Sequence, residues 1–143
     1  MTQYQQLLKI QTTGKTLSKI TSEVQSIVTA SGIKTGLCTI FLRHTSASLI
    51  IQENADPDVL KDLSNFFAKL VPEDGKSYIH DAEGSDDMPA HIRAVLTKTS
   101  EQIPIAQGRL LLGTWQGIYL WEHRQSGHYR EVVVHITGDE IRN

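Results

Sequence analysis

Residues 100–138, SEQIPIAQGRLLLGTWQGIYLWEHRQSGHYREVVVHITG, decide the fold class. The runs SEQIPIA, GRLLLGT, GIYLWEH and YREVVVHITG are short, rich in β-branched and aromatic residues, and broken by Gly108, Gly113, Gly117 and Gly127. Such side chains fit a pleated, half-buried surface and glycine punctuates it, so this stretch predicts strand after strand, a β meander or close to it. Toward the N-terminus, Leu7, Leu8 and Ile10 mark a first strand over residues 3–11 that turns near Gly14. Leu17, Ile20, Val24, Ile27 and Val28 then recur at helical spacing and predict a helix from Thr16 to Gly32. GLCTIFLR (36–43) and SASLIIQE (46–53) read as two further strands that pair directly or through a neighbour.

Asp56 and Pro57 open a second helix, because a carboxylate cap followed by proline satisfies first-turn amides where proline costs nothing. Its apolar face is Val59, Leu60, Leu63, Phe66, Phe67 and Leu70, and Pro72 and Gly75 end it. The polar stretch GKSYIHDAEGSDD (75–87) is long for a simple connection, and long ordered loops often carry function. Met88 and Pro89 start a third helix with Met88, Ile92, Val95 and Leu96 on its core side. Strands and helices that segregate rather than alternate point to an α+β domain over residues 1–143. Its sheet is largely antiparallel, sandwich or barrel-like, with about three helices on one face.

Composition excludes several classes of function. At 143 residues and a formal charge of −2 the chain is a single ordinary globular domain, and it has no apolar run of membrane-spanning length. Residues 53–87 hold ten acids against three bases, a local charge of −7 that repels a phosphate backbone. No nucleic-acid or membrane partner is expected, and the N-terminus lacks the features of a signal peptide, so a cytoplasmic protein is the expectation. The lone Cys38 can form neither an internal disulfide nor a cysteine zinc site. There is no Walker A loop, GxGxxG or GxSxG elbow.

Two groups of residues can carry chemistry. His44, His80 and His91, if they converge, make a three-imidazole site with an open position, the arrangement of catalytic rather than structural zinc. Their separations of 36 and 11 residues match no recognised ligand spacing, and each also reads as an ordinary packed or loop histidine. Asp81, Asp86 and Asp87 are near enough in sequence to orient them, and Asp87 shares a helix face with His91 four residues on. The second group is GTWQG (113–117), where flanking glycines let a ligand approach, Trp115 offers a flat face and Gln116 a two-way amide. The same five residues also read as a tight hairpin turn.

HTSASLIIQENADP (44–57), HDAEGSDDMPAHI (80–92) and GRLLLGTWQGIYLWEHR (108–124) together resemble the YjbQ family, whose members are often labelled secondary thiamine-phosphate synthases. The resemblance covers essentially the whole chain. It implies a compact α+β fold assembled as a homotrimer, with pockets where subunits meet. The family's polar positions fall on His44, Thr45, Ser46, Asn54, Asp56, His80, Asp86, Asp87, His91, Thr114, Trp115, Gln116 and Glu122. Many relatives have phenylalanine after the matching glutamate. This chain has His123 and Arg124 there, and no role is assigned to either.

Thiamine-phosphate synthesis joins a pyrimidine bearing a diphosphate to a thiazole phosphate and releases diphosphate. On that reading His44, His80 and His91 hold a divalent metal, zinc or magnesium, and Asp86, Asp87 and Glu122 are catalytic. Asn54, Arg109, Thr114, Trp115 and Gln116 bind substrate, with Trp115 stacked on the pyrimidine. The alternatives are a metal-dependent hydrolase and a non-enzymatic binder of a small phosphorylated metabolite. All of them require the three imidazoles to meet beside the tryptophan turn in a single cleft.

Overall fold

The computed structural model describes residues 1–140. Eight strands and three helices run in the order β1 (Thr2–Gln11), β2 (Leu17–Lys19), α1 (Thr21–Ser31), β3 (Thr35–Leu42), β4 (Ala47–Glu53), α2 (Pro57–Leu70), α3 (Asp87–Leu96), β5 (Ser100–Ala106), β6 (Arg109–Leu110), β7 (Gln116–Glu122) and β8 (Tyr129–Asp139). They form two antiparallel sheets, β1-β8-β3-β5-β6 and β2-β7-β4. The α+β class and antiparallel architecture are those expected from the sequence. No helix among the described residues is long and apolar enough to cross a membrane.

Period-two burial builds the core. Val132, Val134 and Ile136 of β8, Cys38, Ile40 and Leu42 of β3, and Ile103 and Ile105 of β5 point inward from the large sheet. Ala47 and Leu49 of β4 with Ile118 and Leu120 of β7 answer from the small one, and Val24, Ile27 and Val28 of α1 join the same cluster. β7 is buried from Gly117 to Glu122, as befits a strand covered on both faces. Its alternate residue Trp121 meets Phe67 of α2 edge-on, with ring centroids 5.1 Å apart.

Four expectations are corrected. The C-terminal strands are not a meander, because β7 lies in the small sheet between β6 and β8 of the large one, and GRLLLGT contributes only Arg109–Leu110 as strand. β3 and β4 do not share a sheet. At Arg43 the ladder to β8 ends with the Arg43 amide on the Glu131 carbonyl, and the Glu131 amide is accepted by His44 Nε2 at 2.8 Å. The imidazole thus does the work of a strand carbonyl, and the chain leaves for the other sheet. The first helix begins at Thr21 rather than Thr16, because Leu17–Lys19 pairs with Trp121–Tyr119 and completes the hydrogen bonding of β7.

The apolar faces of α2 and α3 are the fourth. No residue of α2 is buried, although Asp56 caps it as expected, accepting from the Asp58 amide at 2.9 Å. Phe66 remains 59% exposed, and Val95 of α3 is 83% exposed. α3 buries Asp87 and Arg93 instead, each ion-paired to a residue distant in sequence: Asp87 to Arg124, and Arg93 to Glu73.

Candidate functional site

Asp87 begins α3 and His91 follows one turn later on the same face, so helical geometry alone sets their side chains together. The long loop brings His80 over the same carboxylate. Asp87 Oδ2 lies 2.5 Å from His80 Nε2 and 3.2 Å from His91 Nε2, and the ring centroids are 5.5 Å apart. His91 Nδ1 stands 2.8 Å from the Thr45 carbonyl oxygen, which can only accept, so Nδ1 carries the proton there. Nε2 therefore faces the Asp87 carboxylate oxygen, where either a proton or a metal cation would bridge the two.

The ligand atoms of His80, Asp87 and His91 all lie within 4.8 Å of one another. Two imidazoles and one carboxylate, with one imidazole locked by a backbone carbonyl, are a donor set suited to a divalent transition metal more than to magnesium. Arg124 holds the acid side in place. Its Nη1 is 2.9 Å from Asp87 Oδ1, its Nε donates to Asp86 Oδ2 at 2.9 Å, and its Nη2 donates to the Glu83 carbonyl at 3.1 Å. The Gln125 amide also donates to Asp86 Oδ2, at 2.9 Å. Burial pushes the Asp86 and Asp87 carboxyls up, but these donors, with His80 for Asp87, outweigh it and hold both below the usual carboxylate range. Both are anionic at neutral pH, which makes them good ligands and weak proton acceptors.

His44 stands outside this group. Its Nε2 is occupied by the Glu131 amide, and burial together with the nearby Arg130 lowers its pKa, so it is a neutral structural corner. Glu122 is fully buried at the end of the core. It takes hydrogen bonds from Thr12 Oγ1 at 2.6 Å, Arg130 Nε at 2.8 Å and the Arg124 amide at 3.1 Å, and is ion-paired to Arg130 Nη2. Those four donors leave its carboxylate no room for a substrate.

The tryptophan turn is ordered by Asn54, whose Nδ2 donates to the Thr114 and Gln116 carbonyls at 3.1 and 3.2 Å. Gln116 Oε1 accepts from the Gly113 amide at 2.8 Å, which fixes the orientation of the carboxamide, while Trp115 is 63% exposed. Arg109 and Gln116 line an open groove of about 540 Å³ with Lys19, Ser22 and Leu112.

Among the described residues, the imidazoles and the tryptophan turn do not share a single cleft within one chain. Gln116 pairs with Glu53 at one end of the β4–β7 ladder and Glu122 with Ala47 at the other. The turn adjoins the first pair, and Thr45 and Arg124, which hold His91 and Asp87, adjoin the second. Six strand residues at about 3.4 Å each separate the two ends by roughly 20 Å. Arg124 is the residue that sequence reasoning passed over, since nothing in its spacing announces a partner on α3.

A family profile described as UPF0047 protein YjbQ-like matches residues 6–139. The chain belongs to the UPF0047 YjbQ-like family. Within that family it is 67% identical over 137 residues to UPF0047 protein sll1880 of Synechocystis sp., covering 96% of this chain and 93% of that one. It is 39% identical to UPF0047 protein YjbQ of Escherichia coli O157:H7, over 95% of this chain and 99% of that one. A YjbQ/UPF0047 crystal structure from Clostridium acetobutylicum superposes with a TM-score of 0.84 at 39% identity, covering 92% of this chain and 98% of that one. A YjbQ-like protein of unknown function from Sulfolobus solfataricus gives 0.84 at 27% identity, over 96% and 100% of the two chains.

Proposed function

We propose that this YjbQ-like protein is a divalent-metal-dependent enzyme that binds the phosphate groups of a small phosphorylated metabolite, with His80, Asp87 and His91 as its metal ligands. The observation that carries the reading is the His91 Nδ1 contact to the Thr45 carbonyl, which leaves Nε2 facing an anionic Asp87 beside His80. A bound zinc-like ion would polarise a phosphoryl oxygen and neutralise a departing diphosphate. Asp86 keeps Arg124 pointed at Asp87, and Arg124 keeps Asp87 ionised. The reaction proposed in particular is the coupling of a pyrimidine diphosphate to a thiazole phosphate, which the resemblance implies and the acidity of the loop favours only with a cation present.

A homotrimer belongs to the same proposal. A cleft holding both the imidazoles and the Trp115 turn has to be built from neighbouring subunits, and the uncovered apolar side chains Phe66, Leu70, Val95 and Trp115 are consistent with such contacts. Metal analysis of untagged protein tests the centre. One equivalent per chain is expected in the wild type and in His44→Ala, with loss in His91→Ala. Substoichiometric metal in all three would overturn the metalloenzyme. Diphosphate release from the two precursors, no greater than with heat-killed protein, would overturn the coupling reaction alone.

A further inference from the structure

A second polar site lies beneath α2, on the outer face of the small sheet and independent of the proposed metal centre. A cavity of about 60 Å³ is lined by Lys15, Ser64, Phe67, Arg93, Trp121 and His123, with Glu122 at its base. The Arg93 side chain is buried; its Nη1 donates to Glu73 Oε2 at 2.8 Å and its Nη2 to the Val71 carbonyl at 2.6 Å. Its Nε is the one buried side-chain nitrogen or oxygen among the described residues with no partner. A buried charged donor left unpaired is costly and calls for an acceptor.

The rest of the lining is rich in donors, with the Ser64 hydroxyl able to donate or accept. His123 uses Nε2 on Ser48 Oγ, 2.9 Å away. Ser48 is fully buried, and among the described residues its hydroxyl has His123 as its hydrogen-bond partner, so donation by the hydroxyl puts the His123 proton on Nδ1. Lys15 Nζ sits 2.6 Å from Glu73 Oε2. The carboxylates that line or adjoin the cavity are already committed, Glu122 to four donors and Glu73 to Arg93, Lys15 and Gln125. Among the residues that line the space, Lys15 and Arg93 outnumber Glu122, a surplus of one positive charge with His123 neutral, although Lys15 is partly exposed.

From the unpaired Arg93 Nε, the donor lining and the cavity's size, we infer that this pocket binds a small monovalent anion, a halide or the carboxylate of a formate-sized molecule. The ion accepts from Arg93 Nε–H and His123 Nδ1–H and balances the cationic surplus. It also packs against the Trp121 indole, which makes occupancy visible. The chain has two tryptophans, so in Trp115→Phe the fluorescence comes from Trp121 alone. Trp121 is buried, and collision from solvent reaches it poorly.

The test is an iodide titration of Trp115→Phe at ionic strength held constant with sulfate, whose two charges exceed the surplus of the site. Quenching is expected to saturate, to reverse when formate is added, and to vanish in Trp115→Phe/Ser64→Asp, which tethers a carboxylate at the cavity wall while leaving the Arg93 contacts intact. Quenching that is absent, rises linearly without saturation, or survives Ser64→Asp overturns the inference and leaves a hydrated cavity. A failed metal analysis at His91 would not move any of these readings.

Discussion

At the scale of single residues, the molecule spends its charge on internal support. Glu122 and Arg130 join the two sheets at one end of the core, with Thr12 and the Arg124 amide saturating the carboxylate. Removing one partner leaves the other charged and buried, which in comparable sites costs about 3–5 kcal/mol. Glu122→Gln is therefore expected to lower unfolding free energy by about that amount in urea denaturation, with little change in slope. His123 makes a separate prediction. Burial, reinforced by Arg93, pushes its pKa down to about 3 from the ordinary 6.5. The unfolded chain then binds a proton below pH 6.5 that the folded one refuses until about pH 3. Stability falls as pH drops through that window, by up to about 1.4 kcal/mol per pH unit from this group. The carboxyls of Glu73, Asp86, Asp87 and Glu122, held low in the fold, act in the same direction but below the ordinary carboxylate range. Between pH 7 and 5 the loss should thus be shallower in His123→Phe than in wild type, and equal slopes would place the histidine elsewhere.

At the scale of elements, legibility follows how local the cause is. The Asp56-Pro57 start of α2, the stripe of α1 and the Asp87–His91 pairing are set within a few residues, and the sequence displays all three. The partition of β3 and β4 between sheets depends on His44 meeting Glu131, 87 residues away, and strand alternation carries no sign of it. The burial of Asp87 and Arg93 on α3 is equally hidden, because Arg124 and Glu73 come from other parts of the chain. Leu17 fits the helical spacing by coincidence and takes the strand position that β7 requires. The apolar side of α2 was legible as a pattern, but its cover was not. Phe66 and Leu70 are expected to face a second subunit, so Phe66→Glu should reduce the mass seen by light scattering to that of one chain while circular dichroism stays native. A monomeric wild type, or an unchanged mass in the variant, would count against that contact.

At the scale of the whole molecule, two chemically distinct ends share one sheet. One end gathers His80, Asp87, His91 and Arg124; the other holds Asn54, the Trp115 turn and the Arg109 groove. The sequence singles out His80, Asp87, His91 and the Trp115 turn, but it adds His44, omits Arg124 and expects a single cleft, because nothing in spacing reveals that β4 and β7 hold the two ends apart. Membership of the YjbQ-like family fixes the architecture and leaves the chemistry to be decided at the first end. The direct measurement is anomalous diffraction at a metal absorption edge from crystals of untagged protein. The expected result is a peak about 2.0–2.2 Å from His80 Nε2, His91 Nε2 and an Asp87 oxygen. No peak there, or one bound through His44 with Asp87 still on Arg124 alone, would contradict the metal centre.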